Sequence, residues 1–234
     1  GMRVGAAGGY DHTAVSTFNG VNANSQTNTM RFALYGSQQF EDAVTLDMQV
    51  GYARHMMDGD RFETNNGATA RNSHLANEVS SGFQVSKTFD VHGFRVKPKL
   101  GMNYAHVEED GYTETDAGLF NATIASKSIN SLRLSTGIGV SKRMTGLNGL
   151  AFTPEARIKY SYEAWDSSVA TTGSQRGIGF SSNGLAPSRH ILSVGTGFSA
   201  NLDDAWSAFG NYDVDMPTGN SFEQTFTAGL RMNF

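Results

Sequence analysis

The chain has 234 residues, of which 38% are hydrophobic, and 18 Lys and Arg stand against 22 Asp and Glu for a net charge of −4. That acidic balance argues against a nucleic-acid binder, which would carry a basic surplus, and the absence of Cys excludes disulfides, thiol nucleophiles and Cys-ligated metals. No window approaches the about 20 consecutive apolar residues of a transmembrane helix; this excludes a helical membrane protein and leaves a membrane β-barrel open, because barrel strands are apolar on one side only. Gly is frequent (27) and Pro rare (4), which suits tight turns and crowded sheet faces. The opening Gly1-Met2 reads as a tag-cleavage scar, so the lack of a leader says nothing about location.

Period-two alternation recurs along the whole chain. Residues 2–12 read as a first strand, with Met2, Val4, Ala6, Gly8 and Tyr10 opposite Arg3, Gly5, Ala7 and Gly9, followed by a polar loop over 11–26. The second strand carries Met30, Phe32 and Leu34 opposite Arg31, Ala33 and Tyr35, and turns at Phe40-Glu41-Asp42. In the third, Val44, Leu46, Met48, Val50 and Tyr52 alternate with Thr45, Asp47, Gln49, Gly51 and Ala53, and a long polar loop is expected over 55–73. The fourth sets Leu75, Val79, Phe83, Val85 and Phe89 against Ala76, Glu78, Gly82, Gln84 and Ser86, with a short turn at Asp90-Val91-His92-Gly93. Phe94 to Tyr104 forms the fifth, with Arg95, Lys97, Lys99, Gly101 and Asn103 on its polar face, and a loop follows over 108–128.

The sixth strand places Leu132, Leu134, Ile138 and Val140 opposite Arg133, Ser135, Gly137 and Gly139, ending in a turn near Gly146-Leu147-Asn148-Gly149. The seventh has the strongest pattern: Phe152, Pro154, Ala156, Ile158, Tyr160 and Tyr162 against Thr153, Glu155, Arg157, Lys159, Ser161 and Glu163, then a loop over 166–189. In the eighth, Leu192, Val194, Thr196 and Phe198 oppose Ser193, Gly195, Gly197 and Ser199, with a turn at Asp203-Asp204. The ninth carries Trp206, Ala208, Tyr212, Val214 and Met216 against Ser207, Phe209, Asn211 and Asp213, and turns at Pro217-Thr218-Gly219-Asn220. The tenth has Phe226, Ala228, Leu230, Met232 and Phe234 on one face and Thr227, Gly229, Arg231 and Asn233 on the other.

This gives about ten strands of membrane-crossing length joined by connections that alternate long and short, the asymmetry of an outer-membrane barrel. The predicted fold is therefore all-β, an antiparallel up-and-down transmembrane β-barrel forming one domain over residues 1–234. Aromatic residues support it at two heights. Tyr10, Tyr52, Tyr104, Tyr160, Tyr162 and Tyr212 fall near the long-loop ends of the apolar face, and Phe40, Phe89, Phe94, Phe152, Trp206 and Phe234 near the short-turn ends. A soluble β-sandwich would bury its aromatics mid-strand instead. Pro98 and Pro154 sit close to the short turns, where a bulge is expected to accommodate them. The charges Arg31, Asp47, Glu78, Lys97, Lys99, Arg133, Glu155, Arg157, Lys159, Asp213 and Arg231 all fall on the polar face and are the expected lumen-lining residues, since Arg or Lys facing mid-bilayer lipid costs roughly 2–4 kcal/mol.

Across nearly its whole length the sequence resembles the C-terminal β-domain, or translocator, of autotransporters. The resemblance is carried by Tyr35-Gly36, by Pro98-Lys99-Leu100-Gly101-Met102-Asn103-Tyr104 before the Glu109 to Tyr112 loop, by Ser131-Leu132-Arg133 leading to Gly137, and by the closing Gly229-Leu230-Arg231-Met232-Asn233-Phe234. It implies a barrel of about twelve strands around an α-helix, which exports an upstream passenger domain to the surface of a Gram-negative bacterium. This chain would then be a piece without the passenger, the helix or the first two strands. The resemblance further implies an outer-membrane location with both chain ends periplasmic and the long loops extracellular. Its partners would be outer-membrane lipid, its own passenger and the barrel-assembly machinery, which would read Phe226, Leu230, Met232 and Phe234 in the terminal strand. No nucleic-acid partner, cofactor, metal or catalytic residue is expected. The rival readings are a porin or surface adhesin barrel, whose strands would look the same, and an outer-membrane protease. The protease would draw on Asp11, His12, His55, Asp58, Asp60, His74, His106 and His190 near the outer rim, but the sequence contains no motif that pairs a base with a nucleophile.

Overall fold

In the computed structural model, residues 1–17, 22–146, 150–165, 168, 170–184, 188–203, 205–219 and 222–232 are described. Among the sequence-derived assignments, Phe234 and Asn233 of the last strand, the turn residues Leu147, Asn148, Gly149, Asp204 and Asn220, and Asp166 lie outside them. The strands are β1 Met2–Thr17, β2 Ala23–Gln39, β3 Val44–Glu63, β4 Ala68–Lys87, β5 Phe89–Val91, β6 Phe94–Glu109, β7 Tyr112–Thr113, β8 Ala122–Ile124, β9 Lys127–Ser141, β10 Met144–Thr145, β11 Ala151–Glu163, β12 Ala170–Gln175, β13 Ile178–Asn183, β14 His190–Asn201, β15 Trp206–Pro217 and β16 Glu223–Met232.

Ten of these form one antiparallel path, β1-β2-β3-β4-β6-β9-β11-β14-β15-β16, curled into a half-barrel. Every neighbour along the path is also the next crossing in sequence, which is up-and-down connectivity. Among the described residues β1 pairs only with β2 and β16 only with β15, so the path is open at its two ends. The short turns are tight. In the hairpin β5–β6, Val91 pairs with Phe94 across His92 and Gly93, both left-handed at φ 50° and 78°. This is the primed turn that matches strand twist and that Gly adopts without strain.

Two sequence expectations are corrected here. Most of 11–26 and 55–73 is not loop, because the ladders continue through 11–17, 23–26, 55–63 and 68–73; residues 18–21 lie outside the described residues. Thr17 still pairs with Ala23, and Glu63 with Ala68. The few apolar side chains in these extensions, Val15, Met56, Met57 and Phe62, do not alternate, so no period betrays them; above the lipid a strand needs backbone pairing and no greasy side. The other two expected loops hold structure of their own. β7, β8, β12 and β13 make a separate four-stranded sheet in the order β13-β12-β8-β7, built from the β6–β9 and β11–β14 connections. It is tied to the β3–β4 hairpin by a bridge in which Arg71 and Thr115 exchange backbone hydrogen bonds of 3.0 and 2.8 Å.

No bulge accommodates either internal proline, which corrects the third expectation. The β4 register against β6 passes from Ser86↔Lys99 to Phe89↔Val96 without a slip, and only the rungs opposite Lys97 and Pro98 are missing. Pro154 repeats the arrangement. Glu155↔Ser141 continues as Phe152↔Met144, with the gap opposite Thr153 and Pro154, where Lys142 still donates to the Pro154 carbonyl at 3.2 Å. Each proline lacks an N–H, so the neighbouring strand is interrupted rather than displaced.

On the polar face, aromatic rings lie over glycines. Tyr35 covers Gly5, and Phe209 covers Gly229 so closely that a Cβ there would stand 2.6 Å from the Phe209 ring. Covering a strand glycine with a cross-strand ring is a recognised device for pinning register. Gly229→Val should force Phe209 off its seat and destabilise the folded sheet by about 1–3 kcal/mol. Urea unfolding in detergent, followed by tryptophan fluorescence, checks this.

Candidate functional site: the charged concave face

The molecule is arranged inside out. Its largest fully buried side chains are Glu163 and Thr29, and the apolar residues that are buried are alanines such as Ala53, Ala70 and Ala76. Large apolar side chains are exposed instead: Phe32 by 65%, Leu100 by 65%, Ile158 by 45% and Leu230 by 66%. They share one face through the registers Phe32↔Tyr52, Val85↔Leu100 and Ile158↔Val194. The opposite face is hollow. One cavity on it takes its lining from Arg95 and Lys97 of β6, Glu155 of β11, Asn211 of β15 and Arg231 of β16, strands that are not all neighbours and can meet only across a concavity. A continuous exposed apolar surface of this size requires a nonaqueous neighbour. With backbone groups paired along the ladder, a bilayer is the solvent that fits.

The limits of the apolar band are marked by specific contacts. At the long-loop end a tyrosine on each strand running toward the loops contacts a polar side chain on the next strand, two positions beyond its register partner. Tyr10 donates to Asn28 at 2.7 Å, Tyr52 to Asn77 at 2.7 Å, Tyr104 to Asn130 at 3.1 Å and Tyr212 to Gln224 at 2.6 Å, and Tyr160 pairs with His190 at 2.5 Å. At the short-turn end Lys142 lies 4.8 Å from the Phe94 ring centre and Lys87 lies 5.5 Å from that of Phe89, the posture of amines reaching for an interface. From Phe94 to Tyr104 the strand rises about 34 Å, or about 25 Å along the normal at the usual barrel tilt, which is the height of a barrel's apolar band.

The sequence-predicted polar-face residues group into networks. Arg157 binds Asp213 with two hydrogen bonds of 2.8 and 2.6 Å, reaches Asn211 at 3.1 Å and lies 4.0 Å from Glu155. Arg133 stands 3.7 Å from the buried Glu163, which also accepts from Ser131 at 2.7 Å and from the Leu132 N–H at 2.8 Å. Glu78 is 3.4 Å from His55, and Arg31 is 2.9 Å from Asp11. Asp47 accepts a long contact from Gln84 at 3.5 Å. Lys159 shares a second hollow with Arg157, Asp213 and Asp215, whereas Lys97 and Arg231 line the first. Lys99 neighbours Lys97 on the same face of β6. Phe226, Leu230 and Met232 are 74%, 66% and 51% exposed on the apolar side.

The histidines weighed as catalytic fall into separate contacts: His12 with Asn28, His55 with Thr29 and Glu78, His74 stacked on Tyr112, His106 with Asn130 and Glu108, His190 with Tyr160. Asp58 and Asp60 line a third hollow with Arg71 and Asn72.

Sequence reasoning missed a network outside the apolar band. Arg61 bridges Glu63 at 2.8 Å and Glu114 at 2.7 Å and donates to the Phe120 carbonyl at 3.3 Å; Glu114 also accepts from the Ala122 N–H at 2.8 Å. Gln175 reaches the same Phe120 carbonyl at 2.6 Å. Three of the long-loop connections are thus locked together around two acids that are each only 6% exposed. No spacing in the sequence announces this, because the partners are brought together by the loop sheet. The signal for the tyrosine contacts was present: a polar Asn, His or Gln ends each apolar run on the return strand.

The fold and the face together define a membrane β-barrel of the outer-membrane type. A sequence model of the autotransporter β-domain matches residues 1–213, and the chain belongs to that family. No curated protein sequence matches it. The structure is similar to the β-domain of the Bordetella autotransporter BrkA, at 15% identity and TM-score 0.72, with 100% of this chain and 84% of that one covered. It is also similar to the translocator domain of NalP from Neisseria meningitidis, at 14% identity and TM-score 0.69, covering 100% and 82%.

Two measurements test the site. Arg157→Met strands Asp213 without its partner and should cost about 1–3 kcal/mol; the double variant Arg157→Met/Asp213→Leu should recover most of that loss in the same urea titration. In the loop network, the hydrogen bond from Arg61 holds the Glu63 carboxyl below its ordinary 4.5. A depressed carboxyl pKa stabilises above the unfolded value, and the stabilisation is lost as pH falls through the folded value. The protection of residues 109–127 against hydrogen exchange, taken relative to the intrinsic rate at each pH, should therefore hold from neutral pH down to the ordinary carboxyl range and fall as the pH drops below it. Arg61→Met should show the faster exchange already at pH 7.

Proposed function

We propose that this chain is the wall of an outer-membrane translocator through which an N-terminal passenger polypeptide reaches the cell surface. The short turns and both chain ends are periplasmic, and the loop sheet is extracellular. The observation that carries the reading is the continuous charged concave face backed by an exposed apolar one. The lumen is lined by Arg31, Asp47, Glu78, Lys97, Lys99, Arg133, Glu155, Arg157, Lys159, Asp213 and Arg231.

The work of such a barrel is physical. A polypeptide crossing lipid would leave its N–H and C=O groups without partners, at several kcal/mol each. A hydrated, charge-lined channel removes that cost, and no covalent bond has to form or break on the barrel. The partners are outer-membrane lipid against the apolar face, the passenger in the lumen and the barrel-assembly machinery at the terminal strand, through Phe226, Leu230, Met232 and Phe234. The edge of β16, which among the described residues has no neighbour beyond β15, supports this last role, since a second protein can add a strand there.

The test is export from the full-length protein in cells, read by protease accessibility of the passenger on intact bacteria. Leu230→Arg puts a charge against lipid and should abolish both insertion and surface exposure. A passenger that still arrives when the domain is deleted would overturn the proposal.

A further inference from the structure

Charges on the concave face are sorted along the strands. Taking the interfacial tyrosine of each strand as a marker, Arg3 precedes Tyr10, while Arg95, Lys97 and Lys99 precede Tyr104. Arg231 lies at the matching short-turn end of β16. Acids gather beyond the markers: Glu109 after Tyr104, Glu163 after Tyr160, and Asp213 and Asp215 after Tyr212. The two ends also differ in how far their charges are satisfied. Glu109 is held by Lys127 at 3.0 Å, Glu163 by Ser131 and Arg133, and Asp213 by Arg157. Among the described residues none of Arg3, Arg95, Lys97, Lys99 and Arg231 has an ion-pair or hydrogen-bond partner on its side chain. Asp90 stands opposite Arg95 in the β5–β6 register without forming an ion pair with it, and Glu155 lines the same cavity while turned toward Arg157 at 4.0 Å.

Like charges at successive inward positions of one strand repel, and a strand face that needed them only as wall would intersperse the opposite sign. We propose that the short-turn end of the concave face is a docking site for an acidic stretch of polypeptide, held by Arg95, Lys97 and Arg231. The inference rests on the reading of this face as a polypeptide conduit and adds the chemistry of what rests there. A chain bearing several carboxylates fits better than a small anion, because the free cations are distributed from β6 to β16 across one cavity rather than converging on a point. The acids at the far end disfavour the same segment there, so it is retained at one end and released at the other.

The experiment titrates the chain in detergent micelles with a fluorescent Glu-Ser-Gly repeat peptide and with the same peptide carrying Lys for Glu. The acidic peptide should bind at least ten-fold more tightly, the advantage should shrink as salt rises, and Lys97→Gln/Arg231→Gln should remove it. Asp215→Asn/Glu223→Gln, at the other end, should not lower it. Unheated gel mobility verifies that each variant is folded, and if the double variant is not, Lys97→Gln alone should still lower the affinity several-fold. Equal binding of the two peptides, or affinity indifferent to the short-turn substitutions, overturns the site. Competition by inorganic sulfate as effective as by unlabelled acidic peptide at equal charge overturns the polypeptide as its occupant. Passenger export measured in cells separates this from the conduit reading. Normal export without peptide discrimination removes only the docking site, and discrimination without export removes only the conduit.

Discussion

Hydrocarbon offers no hydrogen bonds, so a chain that crosses it must satisfy its own backbone. The ladder of paired strands from β1 through β16, interrupted only at its two prolines, is the answer found here, and the rest of the molecule follows from it. Once N–H and C=O groups are spent on neighbours, side chains alternate between two solvents of opposite character. One face collects Phe32, Leu100 and Leu230 and the other collects Lys97, Arg157 and Glu163. The interior then has no greasy core to hold it. Its cohesion comes from the ladders, from rings laid on Gly5 and Gly229, and from ion pairs such as Arg157 with Asp213. Those pairs are partly shielded from water, which makes a lost partner costly.

The two rims solve different problems. At the short-turn rim the chain must reverse in as few residues as possible, and left-handed positions such as Gly93 allow it. At the other rim the strands continue past the bilayer, and three connections are bound together through Arg61, Glu63, Glu114 and Gln175. That cluster fixes the loop sheet against the β3–β4 hairpin with contacts drawn almost wholly from charged and backbone groups, which suits a part surrounded by water.

Most of the transmembrane part was legible because lipid imposes a binary rule on every second residue. The alternation in Phe152 to Glu163 or Phe226 to Met232 places each side chain on a face before any coordinate is known. Where the rule lapses, so did the reading. Residues 11–17, 23–26, 55–63 and 68–73 are paired strand, yet their few apolar side chains, Val15, Met56, Met57 and Phe62, no longer alternate, which removes the only periodic signal. Pro98 and Pro154 were correctly placed near the short turns but expected to sit in bulges, since a missing donor does not reveal whether its neighbour will shift or simply let go. The charged face was legible as a list and not as a circuit. Nothing in the spacing of Arg61 and Glu114, or of Arg157 and Asp213, says that they touch, because shear between strands decides which charges come level.

The two proline gaps have a mechanical consequence. Each leaves rungs missing between the main wall and a short strip beneath it, β5 on one side and β10 on the other, while the alignment above and below is unchanged. A ladder without those rungs bends there more readily than elsewhere. The short-turn rim is therefore creased at two places where backbone pairing is thinnest, and the rows on either side of each crease keep their alignment.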